Sequence, residues 1–507
     1  MTLTENRPAI TPPHPRRWLG LAVLSASLLL VVMDITILNV ALPAIAAELR
    51  PDSVSLLWMV DVYALVVAGL LVTVSALADR WGRRRMLLTG FAVFGAASAA
   101  VVWADSPGEV IALRALLGVG GAMIMPSTLS LIRTLFPDGR ERATALGVWA
   151  AMAAVGGALG PILGGLLLEH FSWHAAFLVN VPVMAVAIAA GLVLLPESRN
   201  PRPGRLDLLA ALLSMAGMTA LIFAIKQVGK HGVTDPAALA ALAVAAAALG
   251  WFAARCLRRP EPLLELRLFR TPSFTAGAVT ALITELAMAG VMLLMAQWMQ
   301  LVKGYGPLET GLRLLPLALA AVVASPLAPA LAARIGARTV LAGGLAVTAG
   351  GFLVLAAAPL EYPVVVASLA LIGLGMGSLS IASAAIMAGA PPEKAGSAAA
   401  IEETGYELGG ALGVAILGSL AAAVYRAALP LGTLAALGVT GAAAGSARES
   451  LAGALELPVP ALAARAQAAF TDSLALTGLA GGALMLAAAA AVWFLTPRTL
   501  DLSAASH

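Results

Sequence analysis

Cysteine, charge and aromatic side chains are all scarce in this chain of 507 residues. Cys256 is the single cysteine, so an intramolecular disulfide and a Cys-rich metal site are both excluded. It stands beside Arg255 and Arg258, where a free thiol at a helix end is expected. Charged residues make up 11% and hydrophobic residues 60%, whereas a soluble domain carries about 25% charged residues. That imbalance excludes an ordinary soluble fold and suits a chain whose solvent is lipid. The five histidines are dispersed, and there is no His-Glu-x-x-His pair, no Gly-x-x-x-x-Gly-Lys-[Ser/Thr] phosphate loop and no Gly-x-Ser-x-Gly elbow. A membrane-embedded enzyme is therefore a distant alternative, and no metal or bound cofactor is expected. The net charge of +4 is spread in short basic clusters between apolar runs, a pattern of membrane topology and not of nucleic-acid binding.

What is present is a long series of apolar runs. A spanning helix needs about 20 mostly apolar residues. Fourteen stretches qualify: 18–43, 55–77, 86–104, 109–130, 142–168, 174–195, 206–226, 236–254, 272–299, 309–331, 339–357, 363–388, 397–425 and 472–496. The first is too long for the core of a cleaved signal and reads as a retained helix. With the N-terminus in the cytoplasm, the tails and alternate loops on that side hold 22 of the 31 Lys and Arg residues, and the opposite loops hold 7. Both termini are thus expected inside, with 1–17 and 497–507 as cytoplasmic tails. Residues 426–471 form a long external loop, read as a short structural hairpin with amphipathic pieces around 449–457 and 461–470.

An internal repeat organises the spans. Ser75 opens SALADRWGRRRML and Pro329 opens PALAARIGARTVL, with seven of thirteen positions identical at an offset of 254. GGALG occurs at Gly156–Gly160 and again at Gly409–Gly413, at an offset of 253. Two ordered matches at nearly one offset, in the same orientation, indicate parallel six-helix repeats. The expected fold is an all-α membrane protein of two six-helix bundles, 18–195 and 272–496, with two inserted linker helices at 206–254.

Several motifs carry a family resemblance. They are Leu77-Ala78-Asp79-Arg80-Trp81-Gly82-Arg83 between the second and third spans, the run from Asp34 through Thr36 and Asn39 to Pro43, and Gly156-x-x-x-Gly160-Pro161-x-x-Gly164-Gly165 in the fifth. Together they resemble the major facilitator superfamily, and within it the 14-helix drug:proton antiporters of the EmrB/QacA type. The pattern departs at Ser75, where the family has Gly, and at Leu117, where it often has Gln. The resemblance implies proton-motive-force-driven efflux of small molecules from a bacterial inner membrane, and a coupling role for the Arg114 position.

The residues themselves point to the same chemistry. An ionisable group inside the bilayer is costly and by default a functional candidate. Asp34 and Glu285 lie near mid-span, and Glu407 lies about 15 Å from the inner end at 1.5 Å per residue. Such acids can carry a coupling proton or attract a cation. Asp61 and Arg114 fall nearer the outer end. Glu403 shares a helix face with Glu407 and is a further candidate for proton or cargo binding, with hydration near the inner surface as the alternative reading of Glu402 and Glu403. Tyr63, Trp149, Trp298 and Tyr406, with Met33 beside Asp34, are candidate cavity walls for shape-tolerant and cation–π contact. Asp79, Arg80, Gly82 and Arg83 are expected to form a gating latch, by pairing within the turn or with a helix N-terminus. Gly156, Gly160 and Gly164 form a smooth stripe, expected to seal against the other bundle, with Pro161 and Gly165 in the same motif. The partners expected are lipophilic, cationic small molecules, protons and the bilayer, with the chain acting as a monomer. Export of one natural product and proton-coupled symport are the alternatives.

Overall fold

The computed structural model describes residues 15–51, 53–199, 207–232, 234–357 and 359–498. The expected tails, 1–17 and 497–507, lie mostly outside them. Among the described residues, regular structure is helical throughout. The first part of the chain forms α1 (Arg17–Leu49), α2 (Ser53–Trp81), α3 (Arg83–Ala100), α4 (Pro107–Leu135), α5 (Gly139–His170), α6 (Ala175–Leu178) and α7 (Asn180–Leu194). Next come α8 (Leu208–His231) and α9 (Pro236–Arg258). The last part forms α10 (Pro272–Gln297), α11 (Pro307–Ile335), α12 (Ala337–Ala357), α13 (Tyr362–Gly375), α14 (Gly377–Ala388), α15 (Ala395–Ala428), α16 (Leu431–Ala436), α17 (Gly441–Glu449), α18 (Leu451–Leu455) and α19 (Pro460–Leu495).

Fourteen stretches among the described residues are long and apolar enough to cross a membrane, as the apolar runs predict. The pairs α6–α7 and α13–α14 each make one crossing, and α10 continues into a π turn over Trp298–Val302. Helix starts follow local chemistry. Ser106 and Glu109 form a capping box at α4, and Asp138, Asp207 and Asp235 accept N–H bonds at the starts of α5, α8 and α9. One expectation changes. Residues 461–470 are not half of a separate hairpin, because α19 runs unbroken from Pro460 to Leu495. Pro460 at the first turn sets φ for helix and lacks only a donor that would be idle there, and no proline interrupts the helix afterwards.

The neighbour pattern of the first six crossings recurs in the last six. α1 packs along α5 as α10 packs along α15, and α3 lies against α4 as α12 lies against α13. The duplicated motifs occupy matching places. Gly82 and Gly336, 254 residues apart, both turn the chain with positive φ (120° and 88°). At Gly156 a Cβ would stand 2.5 Å from the Leu29 carbonyl oxygen, and at Gly409 2.3 Å from that of Leu282. Each copy thus brings α5 or α15 to backbone contact with the first helix of its own bundle, the close approach that small residues permit in lipid. This corrects the expected seal. Gly156, Gly160 and Gly164 face α1 within one bundle, whereas Pro161 and Gly165 meet Gly311 and Leu308 of α11 across the interface.

The two seams between the bundles differ. α5 lies directly along α11, while α2 and α15 touch over a shorter stretch, with α8 packed against both. Leu65 and Ala68 of α2, Met218 and Ile222 of α8, and Leu408 and Ala411 of α15 form one small apolar cluster there.

Candidate functional site

Between the bundles lies a cavity of about 840 Å3. Its walls come from α1, α2 and α5 on one side, α10 and α15 on the other, and α8 at the α2–α15 seam; Glu449, Ser450 and Leu451 of the α17–α18 hairpin bound one end. Most of the lining is aliphatic or methionine, including Val32, Met125, Met288 and Met292. The lining includes five acidic residues, Asp61, Glu285, Glu403, Glu407 and Glu449, against a single cation, Lys226, among the described lining residues.

Helix periodicity gathers the α15 acids. Glu403, Tyr406 and Glu407, at three- and four-residue spacings, all reach the cavity. Tyr406 Oη donates to Glu402 Oε1 at 2.6 Å, and Ser383 Oγ donates to the same oxygen. Glu402 and Glu403 are fully buried, against the hydrated alternative. α2, α4 and α14 all pack against α15. Both carboxyl oxygens of Glu403 are buried without a hydrogen-bond partner among the described residues. Trp149 donates its indole N–H to Thr128 Oγ1 at 3.2 Å, and its ring lies 6.4 Å from that of Tyr406. Its edge lines the cavity beside Tyr406.

Asp34 is placed differently from the expected cavity acid. It is fully buried inside the first bundle, with Arg114 Nη1 at 2.7 Å from Oδ2 and Asn180 Nδ2 at 2.7 Å from Oδ1. Arg114 also donates to the Met59 carbonyl at 3.3 Å and lies 4.8 Å from the centre of the Tyr63 ring. One carboxylate thereby ties α1 to α4 and α7, while the next two residues, Ile35 and Thr36, do line the cavity. Tyr63 packs on Gly121 and Met33 is buried in the core; neither is a wall residue. Trp298 is also absent from the walls, because the π turn directs its indole N–H to Thr471 of α19 at 3.3 Å.

Two site residues escaped the sequence reading. Asn180 carries no motif and sits at the start of a short helix, so nothing in sequence pairs it with Asp34. Lys226 is the last residue of the apolar run 206–226 and carries no motif. α8 continues past it to His231, and the ammonium meets Asp61 of α2 in an ion pair facing the cavity.

At the end carrying the α2–α3 turn, the bundles are fastened together. Ser75 Oγ donates to the Gly396 carbonyl at 2.7 Å, and Arg133 donates to that of Ala390 at 2.8 Å. Asp79 accepts from Arg83 Nη2 at 2.9 Å and Nε at 3.1 Å, and its carboxylate rests on Gly396 in the first turn of α15. An acid at a helix N-terminus is electrostatically favoured. Arg80 is exposed. Gly82 turns the chain against Glu197, and the next N–H, that of Arg83, bonds the Ser198 carbonyl at 2.7 Å.

Comparison with known proteins agrees with this architecture. The family model described as Major Facilitator Superfamily matches residues 24–414 and 277–503. The chain is 40% identical over 501 residues to the multidrug efflux pump LfrA of Mycolicibacterium smegmatis, covering 97% of this chain and 98% of that one. It is 36% identical to the methyl viologen resistance protein SmvA of Salmonella typhimurium (94% and 98% covered). With a puromycin resistance protein of Streptomyces alboniger it shares 35% identity (82% and 84% covered). The human organic anion transporter TETRAN has the same fold, with a TM-score of 0.60 at 15% identity over 94% of this chain and 100% of that one. With its duplicated six-helix pattern and the family match on nearly its whole length, the chain is a multi-pass membrane transporter belonging to the major facilitator superfamily.

Proposed function

We propose that this transporter exports lipophilic, cationic small molecules in exchange for protons. The observation that carries the reading is the state of Glu403: both oxygens are buried at the cavity without a hydrogen-bond partner among the described residues. A carboxyl so placed is stable when protonated or when a cation replaces the missing partners, and an apolar surround makes the unpaired ionised form costly. Glu407 and Glu285 stand at the same cavity, and aliphatic, Met and aromatic walls accept apolar bodies of varied shape. Proton and cargo then compete for one set of carboxyls. Cargo binding discharges the proton and protonation releases the cargo, which is the requirement of antiport. Symport would need both bound at once.

The remaining parts fit this cycle. The relatives include a methyl viologen resistance protein, and methyl viologen carries two positive charges. Two bundles, 18–195 and 272–496, rock about the cavity, with 206–254 inserted at one seam. The N-terminus and the α2–α3 turn face the cytoplasm, so the fastened end is the inner one. Asp34 and Arg114 form the pair through which proton occupancy is felt in the first bundle, since α1 carries both the pair and part of the cavity wall. One chain encloses the whole cavity and works as a monomer.

The test uses purified protein in proteoliposomes with an imposed pH gradient. Ethidium efflux coupled to proton counterflow is expected from the unaltered chain. Glu403→Gln and Glu407→Gln should each lower it at least tenfold while an uncharged dye is affected less. Equal loss for charged and uncharged dyes, or transport indifferent to the gradient, would refute the reading.

A further inference from the structure

The inserted helix α8 brings a lysine into the cavity at the place where the two bundles would otherwise meet. Lys226 lies at the α2–α15 seam, its stem beside Ile222 and its ammonium on Asp61. Both partners keep part of their surface toward the cavity, with 26% and 21% of the side chains exposed. Glu407 of the opposite bundle lines the same cavity as the ion pair. At the matching seam α5 packs directly on α11 and contributes no such cation to the walls. Glu403, Tyr406 and Trp149 line the same cavity, where the Trp149 and Tyr406 rings lie 6.4 Å apart.

We propose that Lys226 is a tethered cation that occupies the Asp61 subsite and thereby sets the charge of the cargo the cavity accepts. A cargo with one positive charge binds at Glu403 and Glu407 and leaves the Lys226–Asp61 pair intact. A cargo with two charges at a distance must place its second charge near Asp61 and therefore displaces the ammonium. The pair itself stays cheap because it faces a cavity that water enters, so neither ion is stranded in lipid. The inserted helices then have a role in selectivity as well as in packing. This inference rests on the cation-export reading of the same cavity.

Methyl viologen and its singly methylated bipyridinium analogue are matched probes, with nearly the same shape and charges of two and one. Binding of both is measured by calorimetry or fluorescence competition on purified full-length protein, wild type against Lys226→Met, which keeps the stem and removes the charge. Lys226→Met is expected to tighten the dication about tenfold relative to the monocation, equivalent to about 1.4 kcal/mol. Lys226→Arg should keep the wild-type ratio, and Asp61→Asn/Lys226→Met should abolish the gain. A ratio that does not move in a folded Lys226→Met protein overturns the proposal, as does a gain that persists without Asp61. A structural pin would change stability or both affinities together without altering their ratio. Should Lys226→Met not fold, Lys226→Gln carries the same comparison, and failure of both to fold makes the lysine structural and overturns the proposal. If the wild-type protein binds neither probe, the cation-export reading fails instead, which keeps the two failures distinct.

Discussion

Gly396→Ala tests the fastening of the two bundles with a single methyl group. A Cβ at Gly396 would stand 2.2 Å from Asp79 Oδ2, 2.6 Å from Cγ and 2.7 Å from Oδ1. All three carboxyl atoms are too close, so rotation about the last bond gives no relief and the whole group must withdraw by about 1 Å to reach ordinary contact. Withdrawal is opposed by Arg83, which holds Oδ1 through two N–H bonds of 2.9 and 3.1 Å. The hydrogen bond from Ser75 to the same glycine's carbonyl would lengthen with it. Overpacking of this kind costs about 1–3 kcal/mol. The cost falls only on the state in which α2 meets α15, so the equilibrium between the two faces should move by roughly 5–150-fold. The native Cys256 is buried and replaceable, which leaves a clean background for reporter thiols. A cysteine placed at Leu379, a buried residue of the cavity lining, should become several-fold more reactive to a membrane-impermeant maleimide applied from the α2–α3 side. Unchanged labelling from that side, with Gly396→Ala expressed and folded, would show that Asp79 and α15 do not hold the bundles shut.

Three further outcomes follow from the packing. Asp34→Asn strands Arg114 in a dry interior, where breaking a buried pair costs about 3–5 kcal/mol; the thermal midpoint in detergent should fall sharply, and Asp34→Asn/Arg114→Met should recover most of it without recovering proton-coupled export. Gly160→Leu should destabilise the first bundle itself, because even a Cβ would overlap Thr36 of α1; the check is loss of folded, monodisperse protein, and a variant as stable as wild type refutes the assigned contact. Asp207, just outside the membrane, caps α8 and pairs with Arg255 at 2.6 Å and Arg259 at 3.3 Å. The hydrogen bond from Arg255 holds its carboxyl below the usual range. A lowered folded-state pKa means that its contribution is complete above the unfolded carboxylate range and is lost only as pH falls through the lower value. Protection of the α8–α9 amides from hydrogen exchange should therefore persist to mildly acidic pH, and Asp207→Asn should weaken it by about 1–2 kcal/mol at neutral pH.

The helices were legible because lipid leaves a chain few choices: each apolar run must satisfy its own backbone, so length and composition alone mark the fourteen crossings. The duplication was legible for a related reason. Gly82 and Gly336, or Gly156 and Gly409, keep a side chain out of places where a tight turn or a neighbouring backbone leaves no room, and such positions resist drift. Side-chain direction was less accessible. Asp34, Ile35 and Thr36 are adjacent in sequence, yet the acid points into its own bundle and the next two residues face the cavity. Helical spacing gives the angle between them but not which neighbour stands on either side. The same limit put the glycine stripe against the wrong helix and Trp298 in a cavity it does not reach.

Charge, finally, separates the two halves where packing does not. The turn that ends α2 carries Asp79, which meets α15, while its counterpart ending α11 has Ala333 and no acid to offer α5. The fastening at the end carrying the α2–α3 turn is therefore one-sided, and it lies on the same seam that admits α8 and Lys226. The α5–α11 seam has neither the latch nor the ion pair; it is held by glycine and backbone contacts, with a Cβ at Gly147 falling 2.4 Å from the Ser325 carbonyl oxygen. Contacts of that kind tolerate small rotations poorly but need no change of protonation, whereas the α2–α15 seam carries, beside its apolar cluster, groups whose pairing depends on charge. On the proposed antiport cycle, a duplicated scaffold with one seam close-packed and the other carrying paired charges makes the α2–α15 seam the one expected to yield when a proton or a cation arrives.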